Sequence, residues 1–227
     1  MKYIIMLLFI SCYCMPFTVD NNKELDRHLS SISIGKLPIN SKVIEIDNTK
    51  HIENKLVTKY FLNGDTAKLY YNYYYYDNDN QKNMIEKDSY DYRSFCRFEL
   101  GNIQLLVYYR IGNDIRQTEI ASFSKDHMID HLVIGYSKGG GDAELIDFTE
   151  GTIESDYLVK TKVCIWNPEY TDQKRKENPD FPRSLITLSE YKIDQVTGKI
   201  NFIKSEKKYS KCSPEEFSYK DSNCELF

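Results

Sequence analysis

The stretch from Tyr92 to Phe123, YRSFCRFELGNIQLLVYYRIGNDIRQTEIASF, decides the fold. It holds three runs rich in aromatic and β-branched residues, which favour strands because they pack well on a pleated surface. Gly101-Asn102 separates the first two runs, and Gly112-Asn113-Asp114 separates the last two. Glycine and asparagine tolerate the left-handed backbone that tight hairpin turns require. The stretch therefore predicts three consecutive antiparallel strands.

Strands are also expected on the N-terminal side of this stretch. Residues 41–47 (SKVIEID) carry a strand pattern, and residues 54–76 predict a hairpin that turns at Asn63-Gly64-Asp65. Residues 77–89 are polar and predict a loop or a short helix. A short helix is expected over residues 21–33, because Leu25 and Leu29 lie four residues apart.

The C-terminal side continues the same pattern. A strand is expected at 131–136, a long one over 152–166, and a hairpin over 185–209 that turns at Thr197-Gly198. Residues 167–184 contain three prolines and many charges, which indicates an exposed loop.

This pattern gives about nine or ten strands, with turn signals roughly every 8–12 residues. We expect a mainly β fold, with β-rich α+β as the alternative. It would be a single antiparallel sandwich, barrel or strongly curved sheet with one short N-terminal helix. The predicted division is a signal peptide over residues 1–11, a tether over 12–20 and one β-rich domain over 21–227.

The composition is that of a folded protein rather than a disordered one. Hydrophobic residues make up 41% of the chain and charged residues 28%, which is enough apolar material for a core. The net charge is −4 and no long basic run occurs. A nucleic-acid partner is therefore not expected.

The N-terminus has the form of an export signal. Lys2 precedes an apolar run over residues 3–10, which is too short to span a bilayer. Residues 9–12 (FISC) resemble the lipobox of bacterial lipoproteins, and the resemblance implies that Cys12 becomes the lipidated first residue of the mature protein. Phe9 departs from the aliphatic residue usual there. The alternatives are ordinary cleavage after Cys14, or a buried N-terminal strand or helix.

Export would give meaning to the remaining cysteines, which number four: Cys96, Cys164, Cys212 and Cys224. An even number in an oxidising compartment indicates disulfides. We predict a Cys212–Cys224 bond closing a short loop and a Cys96–Cys164 bond joining two strands. Free buried thiols are the alternative.

Residues 135–139 (GYSKG) match the G-x-S-x-G spacing of a nucleophilic serine on a strand-to-helix turn. The segment 132–146 resembles the elbow of α/β-hydrolases, which implies Ser137 as nucleophile and the backbone N–H of Lys138 as an oxyanion donor. In that family the activating histidine follows the serine, but His28, His51, His127 and His131 all precede it. We expect no catalytic residues, and a glycine-rich loop between two strands at this point.

His127 and His131 lie four residues apart and would share one face of a helix, where two histidines can bind zinc. Met128 and Asp130 stand where the zincin and inverted zincin patterns require glutamate. On a strand the two residues would lie about 13 Å apart. We therefore expect no metal and no other cofactor.

Residues 70–76 (YYNYYYY) predict a strand with Tyr70, Tyr74 and Tyr76 on one face. Tyrosine provides a large contact area at low entropic cost and is enriched at interfaces. This face is a candidate binding surface, and a strand packed between other layers is the alternative.

Together these features predict an exported, lipid-anchored protein of the cell envelope, at the bacterial outer membrane or in the periplasm, or one that is secreted. It would meet the membrane only through its N-terminal lipid. We expect it to bind a protein partner, as an inhibitor or immunity protein against a toxin or enzyme. The alternatives are a structural or assembly lipoprotein, and a secreted serine hydrolase that uses Ser137.

Overall fold

The computed structural model describes residues 22–41, 49–76, 82–112, 115–124, 127–138 and 147–219, together with Cys224 and Leu226. The predicted signal peptide, the tether with Cys12 and the glycine run after Lys138 lie outside these residues. The strands in chain order are β1 (Ile39–Asn40), β2 (Lys50–His51), β3 (Tyr70–Tyr76), β4 (Lys82–Ser89), β5 (Asp91–Leu100), β6 (Ile103–Ile111), β7 (Ile115–Ser124), β8 (His127–Lys138), β9 (Asp147–Ile153), β10 (Leu158–Trp166), β11 (Ser184–Ile193) and β12 (Ile200–Ser210). The helices are α1 (Asn22–Ser30), α2 (Asn54–Leu56) continued by a π-helix (Val57–Phe61), a 3₁₀-helix (Thr66–Leu69), α3 (Asp172–Glu177) and α4 (Pro214–Tyr219).

Ten strands form one antiparallel sheet in the order β12-β11-β10-β9-β8-β7-β6-β5-β2, with β1 attached to β9. The sheet is not closed into a barrel. The remaining strands, β3 and β4, pair with each other. The predicted mainly β fold is confirmed in its curved-sheet form.

The sheet curves so strongly that the turn between β11 and β12 contacts β7 and β8 in the middle of the sheet. At the β11–β12 turn, the carbonyl of Gly198 accepts a hydrogen bond of 2.6 Å from Ser122 Oγ on β7. The N–H of Ile200 donates to Asp130 Oδ2 on β8 at 3.0 Å. These contacts join strands that are far apart in the sheet order, so the inner face encloses a core.

The inner core draws apolar side chains from both ends of the sheet. Phe98, Val107, Ile134, Val159 and Ile193 are buried members of this cluster. Their burial on a shared inner face follows the period-two alternation of strands. A β-bulge between Ser94 and Cys96 changes this alternation within β5.

Helices cover the outer face of the first part of the sheet. Leu25 and Leu29 of α1 are buried there together with Phe61 of the π-helix. Phe61 makes edge-to-face contacts with Tyr108 at 5.1 Å and Phe123 at 5.2 Å between ring centroids. We call β2 and β5–β8 with these helices the helix-covered half. Helix α1 confirms the predicted N-terminal helix.

Among the described residues, a small cluster covers one end of the outer face of β9–β12. Phe148, Cys164 and Ile186 form a small buried cluster against which Cys212 and Cys224 pack. We call β9–β12 with α4 the open half.

The two halves meet at a narrow junction. Among the described residues, strands β8 and β9 pair through Tyr136–Thr149 and Ser137–Phe148, and further along β9 its neighbour is β1. Gly151 approaches the carbonyl of Ile134 so closely that a Cβ atom would lie 2.5 Å from its oxygen. The junction therefore depends on the absence of a side chain at Gly151.

Several expected elements differ from those observed. Residues 54–61 are helical rather than a strand, although Asn63 and Gly64 do adopt the expected positive φ values of 51° and 83°. Part of the predicted loop at 77–89 forms β4. The long strand expected over 152–166 is two strands joined by a turn in which Tyr157 has a φ of 64°. The expected loop at 167–184 contains α3, and the predicted strand at 41–47 lies mostly outside the described residues.

Candidate functional site

Ser137 lies within strand β8, one residue before its end at Lys138. It is paired on one side with Arg116 and on the other with Phe148. His131 lies on the same strand six residues earlier, about 20 Å away along the strand. His28 and His51 are hydrogen-bonded to residues of β5 instead. The described contacts thus give Ser137 no base, and Ser137 belongs to a strand rather than to the expected loop.

His127 and His131 also lie on β8, opposite Ser124 and Ala121. Their spacing on a strand, about 13 Å, is too wide for one metal ion. Among the described residues, no group of three or more histidine, cysteine, aspartate or glutamate side chains is placed to hold a metal.

A serine–histidine pair that the sequence did not reveal joins α1 to β5. His28 Nε2 and Ser94 Oγ are 2.8 Å apart. Burial lowers the pKa of His28, and the nearby Lys50 lowers it further, so the imidazole is neutral at pH 7. Ser94 is only 1% exposed, which leaves its hydroxyl without access for a substrate. The pair fastens the helix to the sheet.

The buried acid Glu119 is a second polar feature that sequence reasoning missed. Its carboxylate accepts a hydrogen bond of 2.7 Å from the Tyr108 hydroxyl. Burial, followed by the charge of Glu119, raises the pKa of Tyr108 well above its usual value. Both side chains lie beneath the helices, so we assign this pair to the core.

The predicted Cys212–Cys224 bond is present, with the two Cα atoms 5.9 Å apart. The predicted Cys96–Cys164 bond is wrong, because both of these thiols are free and buried. Cys96 faces the inner core and Cys164 the outer cluster of the open half. Burial raises the pKa of Cys96 to about 12 and that of Cys164 to about 11, so neither is a thiolate at pH 7.

The tyrosine strand is described mainly through its backbone. Tyr74 and Tyr76 of β3 pair with Ile85 and Lys82 of β4, but their side chains lie outside the described part of the chain. Tyr70 is 42% exposed. The strand is confirmed, and its use as a binding surface stays a prediction.

A concave surface lies on the outer face of the open half. It is a groove of about 350 Å³, which begins where the covered cluster of Phe148, Cys164 and Ile186 ends. Four strands contribute to it through two neighbouring rows of side chains. The first row is Thr152, Lys160, Glu190 and Lys204, and the second is Glu150, Lys162, Leu188 and Glu206.

Charges of both signs alternate across this groove. Lys162 pairs with Glu150 at 3.0 Å, and Lys204 pairs with Glu190 at 3.3 Å. Leu188 supplies an apolar patch between them. Because opposite charges lie directly across from each other, the pairs hold long side chains in place. The groove therefore has hydrogen-bond donors and acceptors on charged side chains around the apolar side chain of Leu188.

No helix in the described part of the chain is long and apolar enough to cross a membrane. Comparisons with protein-family models, with curated proteins and with solved structures find no match to this chain.

Proposed function

We propose that this is an exported, lipid-anchored cell-envelope protein that binds a protein partner through the groove of its open half. The observation that carries the proposal is this groove, which combines an apolar patch with ordered charges of both signs. Protein interfaces join an apolar centre to a polar rim in the same way. The partner is expected to present an apolar side chain to Leu188, flanked by acidic and basic groups.

The Cys212–Cys224 disulfide supports export. Disulfides persist in oxidising compartments and are rare in the reducing cytosol. This bond also packs against the outer cluster that closes one end of the groove. Oxidation outside the cytoplasm would therefore complete the binding face.

Within this class we propose an inhibitor or immunity protein against a toxin or enzyme that enters the envelope. Charge-complementary surfaces increase the association rate and exclude wrong partners, which suits a protein that must intercept an incoming molecule. An assembly role would instead give a complex with resident envelope components.

The binding proposal is tested by reversing the two groove cations of β10, with Lys160→Glu and Lys162→Glu combined. We expect the affinity for the captured partner to fall at least about tenfold, equivalent to 1.4 kcal/mol. The matched control is Arg175→Glu with Lys176→Glu, the same change of charge on the exposed helix α3. Pull-down from envelope extract with both variants, followed by titration of the purified partner, measures the effect. Equal loss in both variants, or loss in neither, would refute the groove as the binding site.

The anchor and the enzymatic alternative have separate tests. Incorporation of labelled palmitate should disappear with Cys12→Ala and persist with Cys14→Ala. Labelling that persists with Cys12→Ala would contradict the lipoprotein. A fluorophosphonate probe that reacts with the protein, but not with Ser137→Ala, would favour the hydrolase over the binding protein.

A further inference from the structure

Strand β12 is the last strand in the sheet order, so one of its two edges faces away from the sheet. The central part of this free edge has no described partner strand. Strand β12 pairs with β11 along its length, and no described strand lies on its other side between Asn201 and Tyr209. Both ends of this edge are already used. The N–H of Ile200 donates to Asp130, and Ser210 bridges to Leu226. The midpoint of the central part is Ser205.

Apolar side chains accompany this free edge. Phe202 is 60% exposed and Ile203 is 50% exposed. Natural edge strands are blunted by lysines, and β12 carries Lys204, Lys207 and Lys208. Glu206 lies between these lysines, however, so the charges do not simply repel a second strand.

We propose that β12 pairs antiparallel with β12 of a second copy of this chain, about a two-fold axis at Ser205. This register places Lys204 opposite Glu206 of the second copy, and Glu206 opposite its Lys204. Both residues point to the outer face, as their pairing with Glu190 and Leu188 shows. Two complementary charge pairs thus form around the axis. The inference goes beyond the groove's partner, since it concerns a different occupant at the free edge of β12, although Lys204 and Glu206 also line the end of the groove.

The neighbouring registers are less favourable. An axis at Glu206 would oppose its carboxylate to that of the second copy and Lys204 to Lys208. An axis at Lys204 would oppose two Lys204 ammonium groups. Like charges directly opposite each other destabilise a strand pair. Charge pattern and the midpoint of the free edge therefore select the same residue independently.

The register also covers the exposed aromatic ring. Phe202 pairs with Tyr191 and points to the inner face, as Lys207 does through its pairing with Thr187. A register shift between Glu190 and Tyr191 leaves Ile203 as an extra, unpaired residue of β12. Beyond Lys204 the count therefore moves by one residue, and Lys207 of the second copy, which shares the inner face, lies across from Phe202. Its aliphatic stem can pack on the ring while the ammonium group stays in water.

The test uses two single variants, Lys204→Glu and Glu206→Lys. In the Lys204→Glu homodimer, the new carboxylate at position 204 faces Glu206 of the second copy on both sides of the axis. In the Glu206→Lys homodimer, the new ammonium group at position 206 faces Lys204 in the same two places. Each homodimer therefore contains two pairs of like charges. Mixing the two variants restores both complementary pairs. We expect the wild-type chain to dimerise with concentration, each variant to dimerise at least about tenfold more weakly, and the mixture to form a heterodimer. The measurement is light scattering coupled to size-exclusion chromatography, on the full chain in mild detergent.

A second measurement keeps the proposal testable if the charge variants fold poorly. Ser205→Cys places two thiols across the axis at the Cα separation of an antiparallel pair, about 4.5–5.5 Å, within the range that disulfides need. Mild oxidation should give a covalent dimer. The control Lys207→Cys should not crosslink, because its own counterpart lies about 13 Å away along the strand. A monomeric wild-type chain, single variants that dimerise like wild type, or equal crosslinking at both positions would overturn the register. None of these outcomes depends on the groove's partner, because dimerisation is measured on the purified chain alone, whereas the groove test changes β10 and measures partner binding.

Discussion

The two halves of the curved sheet share an inner core but differ on their outer faces. In the helix-covered half, α1 and the π-helix bury the outer side chains of β5–β7. In the open half, the described residues cover the outer face beside the Cys212–Cys224 disulfide, and the charged groove lies next to this cover. One outer face is therefore buried beneath helices, while the other carries a charged groove.

The strand sequences already contain this difference. Strand β6 (IQLLVYYRI) is apolar at consecutive positions, which is typical of a strand buried on both faces. In β10, Val159, Thr161 and Val163 alternate with Lys160 and Lys162, which is typical of a strand with one wet face. Hydrophobic periodicity thus distinguishes a face that other elements must cover from one that remains exposed.

The largest expected effect comes from emptying the covered outer face. Phe61→Ala should lower the free energy of unfolding by about 3–5 kcal/mol, because its ring contacts Tyr108 and Phe123 in a closed cluster. The control is Phe202→Ala in the open half, where the 60% exposed ring should contribute under about 1 kcal/mol. Chemical denaturation of dilute protein measures both. Similar losses would contradict the division into a covered and an open face.

Removal of the disulfide should give the next largest effect. Cys212 and Cys224 are 12 residues apart, and opening a loop of this size costs about 3 kcal/mol. In the double variant Cys212→Ser with Cys224→Ser, hydrogen exchange should increase first at Phe148 and Ile186, which pack beside the bond. Wild-type protein treated with reductant is the control and should match the variant. Equal loss of protection at Leu106 would show that the halves unfold as one unit.

The three consecutive strands β5–β7 were predictable because glycine and asparagine stand between them in the sequence. The β9–β10 turn was not, because the residue with positive φ there is Tyr157, which has no turn signature. Asn63-Gly64 did mark a sharp turn, but helices flank it, since Val57, Tyr60 and Phe61 pack against the sheet. Tertiary burial therefore overrode a local hairpin signal.

The candidate site was less accessible to sequence reasoning. The groove depends on the register of four strands, which brings Glu150 and Leu188 to either side of Lys162. His28 and Ser94 are 66 positions apart, and no local pattern joins them. The wrong Cys96–Cys164 pairing has the same origin, because an even cysteine count carries no information about which face of the sheet each thiol occupies.

The junction between the halves should respond to one added methyl group. In Gly151→Ala the new Cβ would lie 2.5 Å from the carbonyl oxygen of Ile134 and 3.0 Å from its Cβ. Overpacking of this kind costs about 1–3 kcal/mol. The control Thr152→Ala, one residue later and half-exposed, should change the free energy of unfolding by less. Thermal denaturation compares them, and an unchanged melting temperature for Gly151→Ala would mean that the halves can move apart at no cost.

The smallest expected effect is a pH dependence of the free energy of unfolding that comes from His28 in the helix-covered half. Burial, and then Lys50, hold the pKa of His28 below its ordinary 6.5. As the pH falls through 6.5, the unfolded chain therefore binds a proton that the folded chain resists, and stability decreases. His28→Gln should remove this component of the loss while it keeps a polar group near Ser94. Ser94→Ala, which removes the hydrogen bond but leaves the imidazole buried, should retain the pH dependence. Denaturation midpoints from pH 7.5 to 5 measure the difference, and parallel profiles for wild type and His28→Gln would show that the α1 contact does not titrate in this range.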